Sequence, residues 1–145
     1  MRNKSVLAVA TMALIAAMAI PTSAMGATPL TAKMTGGEVV NPNGGDPNGH
    51  ATLKLRVNRK KERICFKLTS NLKNITGAWI HKGAEGEIAR PIITLFNTRE
   101  NGSVKGCEHN IRPRLIKRLK RKPGQHYADV TTKGYPNGAV RGQLG

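Results

Sequence analysis

Hydrophobic and polar residues alternate strictly along residues 50–57. Ala51, Leu53, Leu55 and Val57 share one face, and Thr52, Lys54 and Arg56 share the other. Residues 63–69 repeat the pattern, with Ile64, Phe66 and Leu68 on one side. A period of two is the mark of a strand that buries one face. The charged stretch 58–62 between the two segments predicts a hairpin. Weaker alternation predicts further strands at 75–81, 91–96, 102–107, 127–132 and 139–144. Residues 29–34 alternate loosely and read as an edge strand. Residues 36–49 hold two prolines and five glycines and read as a loop.

One segment breaks the period. Ile111, Leu115, Ile116 and Leu119 recur at helical spacing, with Asn110 as a candidate cap, Pro113 in the first turn and Pro123-Gly124 as the stop, so residues 110–122 predict one short helix. Seven or eight short strands with one helix in a chain of this size predict an all-β fold, an antiparallel β-sandwich or a barrel-like Greek key.

The N-terminal segment follows a different rule. A basic start (Arg2, Lys4), an apolar run from Val6 to Ile20 and small residues up to Ala27 have the three parts of an export signal. The run of about 15 residues is shorter than the ~20 needed to span a bilayer. Residues 1–26 are therefore expected to be a signal peptide and residues 27–145 one domain that is not transmembrane once processed. The expected location is secreted or cell-surface. Cys65 and Cys107 are the only cysteines, and in an exported chain such a pair predicts a disulfide; a thiol metal site is the alternative.

Charge changes the picture further. The chain carries 24 Lys and Arg against 8 Asp and Glu. Twelve of the cations fall in two clusters: Arg56, Arg59, Lys60, Lys61 and Arg63 around the hairpin, and Arg112, Arg114, Lys117, Arg118, Lys120, Arg121 and Lys122 on the helix. Such a field attracts polyanions. For an exported chain these are anionic envelope polymers or lipid headgroups. Nucleic acid is not the expected physiological partner, because aromatic residues make up only 3% of the chain and no stacking motif is present. Sequence signatures of hydrolases, metalloproteases, phosphate-binding loops and dinucleotide sites are also missing.

Candidate side chains for a discrete site centre on residues 77–87. This stretch holds the one tryptophan, Trp79, together with His81, Glu85 and Glu87. His81 reads first as a strand histidine bonded to nearby backbone. The alternative is a copper or zinc site completed by His50, His109, His126, Glu85 or Asp129. Trp79 is expected to pack in the core or half-buried, with an exposed binding platform as the alternative. Arg141 and Gln143 share a face of the last strand and are expected to make internal hydrogen bonds, with capture of an outside carboxylate or phosphate by Arg141 as the alternative.

The final segment Pro136-Asn-Gly-Ala-Val-Arg-Gly-Gln-Leu144 resembles the end of the CHRD domain, a module named after chordin. Ile64-Cys-Phe, Ala78-Trp-Ile-His-Lys-Gly-Ala-Glu-Gly and Arg90-Pro-Ile-Ile-Thr-Leu95 are similar to further pieces of the family in the same order. The resemblance covers about residues 29–145 and implies an all-β domain without an assigned general activity. It also exposes departures. The family usually carries two histidines in the central strand and a third near the end. Here the first position is Trp79 and the third is Thr131, leaving His81 alone. The expectation is thus an exported, non-enzymatic binding or structural module, without a cofactor, that associates with anionic envelope components through Arg59, Lys60, Lys61, Arg63, Arg114, Lys117, Arg118, Lys120 and Arg121. An unidentified protein partner is a further possibility by analogy. A metal-binding or redox protein centred on His81 is the alternative.

Overall fold

A computed structural model describes residues 26–145. The expected signal peptide and its cleavage point thus lie almost wholly outside the described residues. The chain forms β1 (Ala27–Thr35), β2 (His50–Asn58), β3 (Arg63–Ser70), β4 (Ile75–Lys82), β5 (Pro91–Phe96), β6 (Ser103–Glu108), α1 (Pro113–Arg121), β7 (His126–Thr132) and β8 (Val140–Gln143). All eight strands join one antiparallel sheet in the order β5-β4-β7-β8-β1-β2-β3-β6. Of the two architectures the alternation allowed, the chain adopts the barrel-like one, a single sheet curled until it nearly closes.

The seam lies between the outer strands β5 and β6. An aromatic pair lies across the interior beside it, and the connection from β5 to β6 is bonded to β4. The Phe66 and Phe96 rings stack with centroids 5.9 Å apart. Ile75 N–H donates to the Glu100 carbonyl at 2.9 Å and Glu100 N–H returns a bond to the Ile75 carbonyl at 3.0 Å. This pair continues the β4–β5 pairing into the connection that leads on to β6.

The inward positions are those the period of two selects. Leu53, Leu55, Val57, Ile64, Leu68, Ile80, Val130 and Val140 are all fully buried in one core. Helix α1 plugs one end of the barrel with Ile116 and Leu119, both inaccessible to solvent. Burying each stabilises the fold by roughly 1.5–3 kcal/mol. Two expectations need correction. Residues 29–34 do not form an edge: β1 lies between β2 and β8, and the true edges are β5 and β6. Asn110 does not cap the helix. It adopts φ +59°, Arg112 occupies the cap position without a side-chain bond, and the helix begins at Pro113. Proline disfavours helical backbone at the residue before it, which delays the start.

Cys65 and Cys107 form a disulfide. They sit directly opposite each other on β3 and β6, and the bond lies on the outer face of the sheet. It ties an edge strand to its only neighbour and closes a 42-residue separation, worth about 4 kcal/mol in the chain-entropy account.

Candidate functional site

The outer faces of β4, β7 and β8 carry an unusual layer of polar residues. Strand register places Trp79 opposite Asp129 and His81 opposite Tyr127. Asp129 in turn faces Arg141, and Tyr127 faces Gln143. A sheet face of this kind normally meets water. Here loop 83–90 folds over it, and the polar side chains hold the loop by its backbone. Arg141 Nη1 donates to the Glu87 carbonyl at 2.6 Å and Nη2 donates to the Ala84 carbonyl at 3.0 Å. Gln143 Nε2 donates to the carbonyls of Gly83 (2.7 Å) and Gly124 (2.9 Å). The Tyr127 hydroxyl accepts from Ala89 N–H at 3.1 Å. Arg141 is only 5% exposed. Its guanidinium carbon lies 3.5 Å from the Tyr127 ring centroid, and the His81 imidazole stacks on that ring at 4.6 Å and 6°.

His81 is held at both nitrogens. Nδ1 donates to the Ala89 carbonyl at 2.8 Å. Nε2 lies 3.1 Å from Asp129 Oδ1, an ion-pair distance without the alignment of a linear hydrogen bond. With Nδ1 committed as a donor, a neutral ring would turn a lone pair on Nε2 toward a carboxylate. Burial is the largest single influence and opposes the cation, but Asp129 and the Ala89 carbonyl together outweigh it and Arg141, so the pKa is raised above 6.5.

The closing motif is explained residue by residue. Arg141 and Gln143 point outward and hold the loop. Leu144 points inward and is buried. Gly142 sits where a Cβ would overlap the Lys33 carbonyl oxygen, so β1 can approach β8 only over a glycine. A similar relation holds Trp79. Its indole lies over Gly77, where a Cβ would strike the ring, and the side chain is half-buried. Thr131, the other departure from the family pattern, bonds Thr76 through their hydroxyl oxygens at 2.7 Å. Among the described residues, no group of three or more His, Cys, Asp or Glu side chains gathers in a way that could hold a metal. Asp129 is beside His81. His126 is not part of this layer: it occupies the position next to Tyr127 on β7, and neighbouring side chains on a strand face opposite sides.

Sequence reasoning missed most of the loop's anchoring. The accepting groups are main-chain carbonyls, which carry no side-chain signature. Besides Arg141 and Gln143, the available signal was the row Tyr127, Asp129 and Thr131, polar residues in alternate positions of one strand.

The second candidate region is the barrel end plugged by α1. The β2–β3 turn, the end of β4 at Lys82 and the start of β7 at His126 all fall there, as the strand registers require. Ile111 N–H donates to the Glu62 carbonyl at 2.9 Å, fastening the segment before α1 to the hairpin turn. The two basic clusters of the sequence are thereby brought to the same end of the barrel. Every Lys and Arg of α1 is exposed, while Arg63 in the hairpin is partly covered. Among the described residues, no Lys or Arg side chain lies at ion-pair distance from a carboxylate; the one such contact is His81 with Asp129. Beneath this surface His126 is buried. Its Nδ1 donates to the Lys122 carbonyl at 3.0 Å and its Nε2 has no partner. Burial first, then the nearby charges of Lys82 and Arg118, lower its pKa below 6.5.

The family model of the CHRD domain matches residues 30–144. The chain belongs to the CHRD domain family, whose members are non-catalytic modules. Neither the comparison with curated proteins nor the one with solved structures returned a match. Among the described residues, no helix is long and apolar enough to cross a membrane.

Proposed function

We propose that this domain is an exported, non-catalytic module that attaches to anionic components of the cell envelope through the basic end of its barrel. Export is supported by the disulfide, which persists in oxidising compartments, and by the CHRD family assignment. The observation that carries the binding reading is the bond from Ile111 to Glu62, which brings twelve cations of the hairpin and helix to one end with no carboxylate partner.

The helix itself argues in the same direction. Arg114–Lys117, Arg114–Arg118, Lys117–Lys120, Lys117–Arg121 and Arg118–Arg121 are like-charge neighbours at three- and four-residue spacing. Each such pair destabilises an isolated helix by about 0.2–0.5 kcal/mol. Folding uses the apolar side, with Ile116 and Leu119 buried and Leu115 packed against the core, and gains nothing from this repulsion. A bound polyanion would relieve it.

The test is retention of the purified mature domain on anionic vesicles and on immobilised polyphosphate at low salt. Retention on one or both, lost as salt rises, is the expected result. Passage through both without retention overturns the reading.

A further inference from the structure

The basic end is not uniform. Between the exposed stripe of α1 and the end of β4 runs a shallow groove of about 590 Å³. Arg114, Lys117, Arg118, Arg121 and Lys122 form one wall and Lys82 stands on the other. None of the lining residues is acidic. The hairpin cations Arg59, Lys60 and Lys61, equally basic in sequence, do not line it. We infer that this groove is a binding site for a linear polymer bearing phosphate groups along its backbone, with consecutive phosphates lying against the cations of α1 and Lys82. The inference rests on the polyanion reading above and narrows it to one groove and one ligand chemistry.

Three features select that ligand. At 1.5 Å rise per residue, Arg114 and Lys122 are about 12 Å apart along the helix, so a single phosphate cannot touch both ends of the row. Cations on two facing walls suit a strand lying in the groove, whereas a flat bilayer would meet only the outer ridge. The groove has no aromatic side chain on which a base could stack, so a nucleic acid gains nothing here beyond its phosphates. Guanidinium groups supply forked donors suited to phosphate oxygens, and three of the six cations are arginines.

His126 provides an internal reporter. It is buried behind the groove, with Lys82 of β4 and Arg118 of α1 as the charges acting on it and the Lys122 carbonyl as its hydrogen-bond partner. A phosphate chain that neutralises Lys82 and Arg118 removes part of the field that opposes protonation of His126.

The experiment measures binding of short linear polyphosphate, vesicles containing phosphatidylglycerol and oligothymidylate to the mature domain. It compares wild type with R118E/R121E in the groove and K60E/K61E on the hairpin, which change charge equally. The groove variant is expected to bind polyphosphate about tenfold or more weakly and the hairpin variant no more than about threefold. NMR titration of His126 is expected to move upward when wild type is saturated with polyphosphate. Equal weakening by the two variants, an unmoved His126, or tighter binding of oligothymidylate at equal phosphate concentration overturns the groove assignment while leaving the broader polyanion reading intact. Vesicle binding that depends on the groove more strongly than polyphosphate binding does also overturns it. Failure of wild type to bind any of the three probes overturns the broader reading. A cooperative thermal transition confirms that each variant is folded. Should the double reversal unfold the helix, R118Q/R121Q is read by the same criteria.

Discussion

The layer beneath loop 83–90 and the basic end of the barrel are both polar, but they treat charge in opposite ways. In the layer, Arg141 donates to two carbonyls and lies on Tyr127, Gln143 donates to two more, and His81 is engaged on both nitrogens. At the basic end, lysines and arginines stand without a carboxylate partner. A buried cation survives only where donors find acceptors, so the first arrangement is a fastening. Exposed like charges are tolerated because water screens them, and they remain available to an outside partner. The contrast shows why the arginine of the most recognisable motif is not the arginine to test for binding.

The comparison can be broken by substitutions. The largest effect is expected at Gly142, on which the layer's two clamping residues are mounted. Gly142→Ala forces a Cβ into the Lys33 carbonyl and should cost about 4 kcal/mol or more, seen as failure to fold or a steep fall in thermal stability. Arg141→Ala comes next. It strands the Ala84 and Glu87 carbonyls and uncovers Tyr127, for a loss of about 2–4 kcal/mol. Arg141→Lys should recover less than half of that, because one ammonium cannot reproduce the fork. In chemical denaturation both variants should lose stability, while their affinity for polyphosphate, measured under folding conditions, stays at the wild-type value. A parallel loss of affinity would show that the two regions are not independent.

The two buried histidines sharpen the comparison through pH. His81 has a raised pKa, so its contribution to stability is complete below about 6.5 and fades as pH rises through its folded value. His126 has a lowered pKa, so its neutral form supports the fold above about 6.5 and that support fades as pH falls toward its folded value. Denaturation midpoints measured across pH should therefore flatten on the alkaline side in His81→Gln and on the acid side in His126→Gln. The groups acting on the first are Asp129, Arg141 and the Ala89 carbonyl. Those acting on the second are Lys82, Arg118 and the carbonyls of Lys122 and Pro123. The smallest effect has the opposite sign to the rest. Lys117→Glu removes like-charge contacts on α1 and should raise the melting temperature by about 2 °C while weakening polyphosphate binding.

Much of this molecule was legible in its residues. The alternation of Ala51 to Val57 and of Ile64 to Leu68 marked the β2–β3 hairpin and its buried face. Ile116 and Leu119 marked the side of α1 that plugs the barrel. Arg141 and Gln143, on one face of a strand beside a glycine, were recognisable as internal donors. The rest depended on chain segments that meet only after folding. β1 alternates no more clearly than an edge strand would, and its central place follows from β8 closing over Gly142. The partners of Arg141 are carbonyls of a loop more than fifty residues earlier. The hairpin and helix charges come to the same end of the barrel because Ile111 bonds Glu62 across some fifty residues, a contact no local pattern announces. The groove depends on Lys82, a single cation at the end of β4 that belonged to neither cluster in the sequence.

Trp79 gives these two regions an optical separation. It is the protein's one tryptophan, half-buried against Gly77 and paired across the sheet with Asp129. Its emission therefore samples the environment beside the loop and carries little direct signal from the opposite chemistry at the barrel end. Loosening of the loop should shift that emission toward the red as water reaches the indole. Occupation of the groove should leave its colour unchanged, so a single unlabelled sample can distinguish an opened fastening from a filled site.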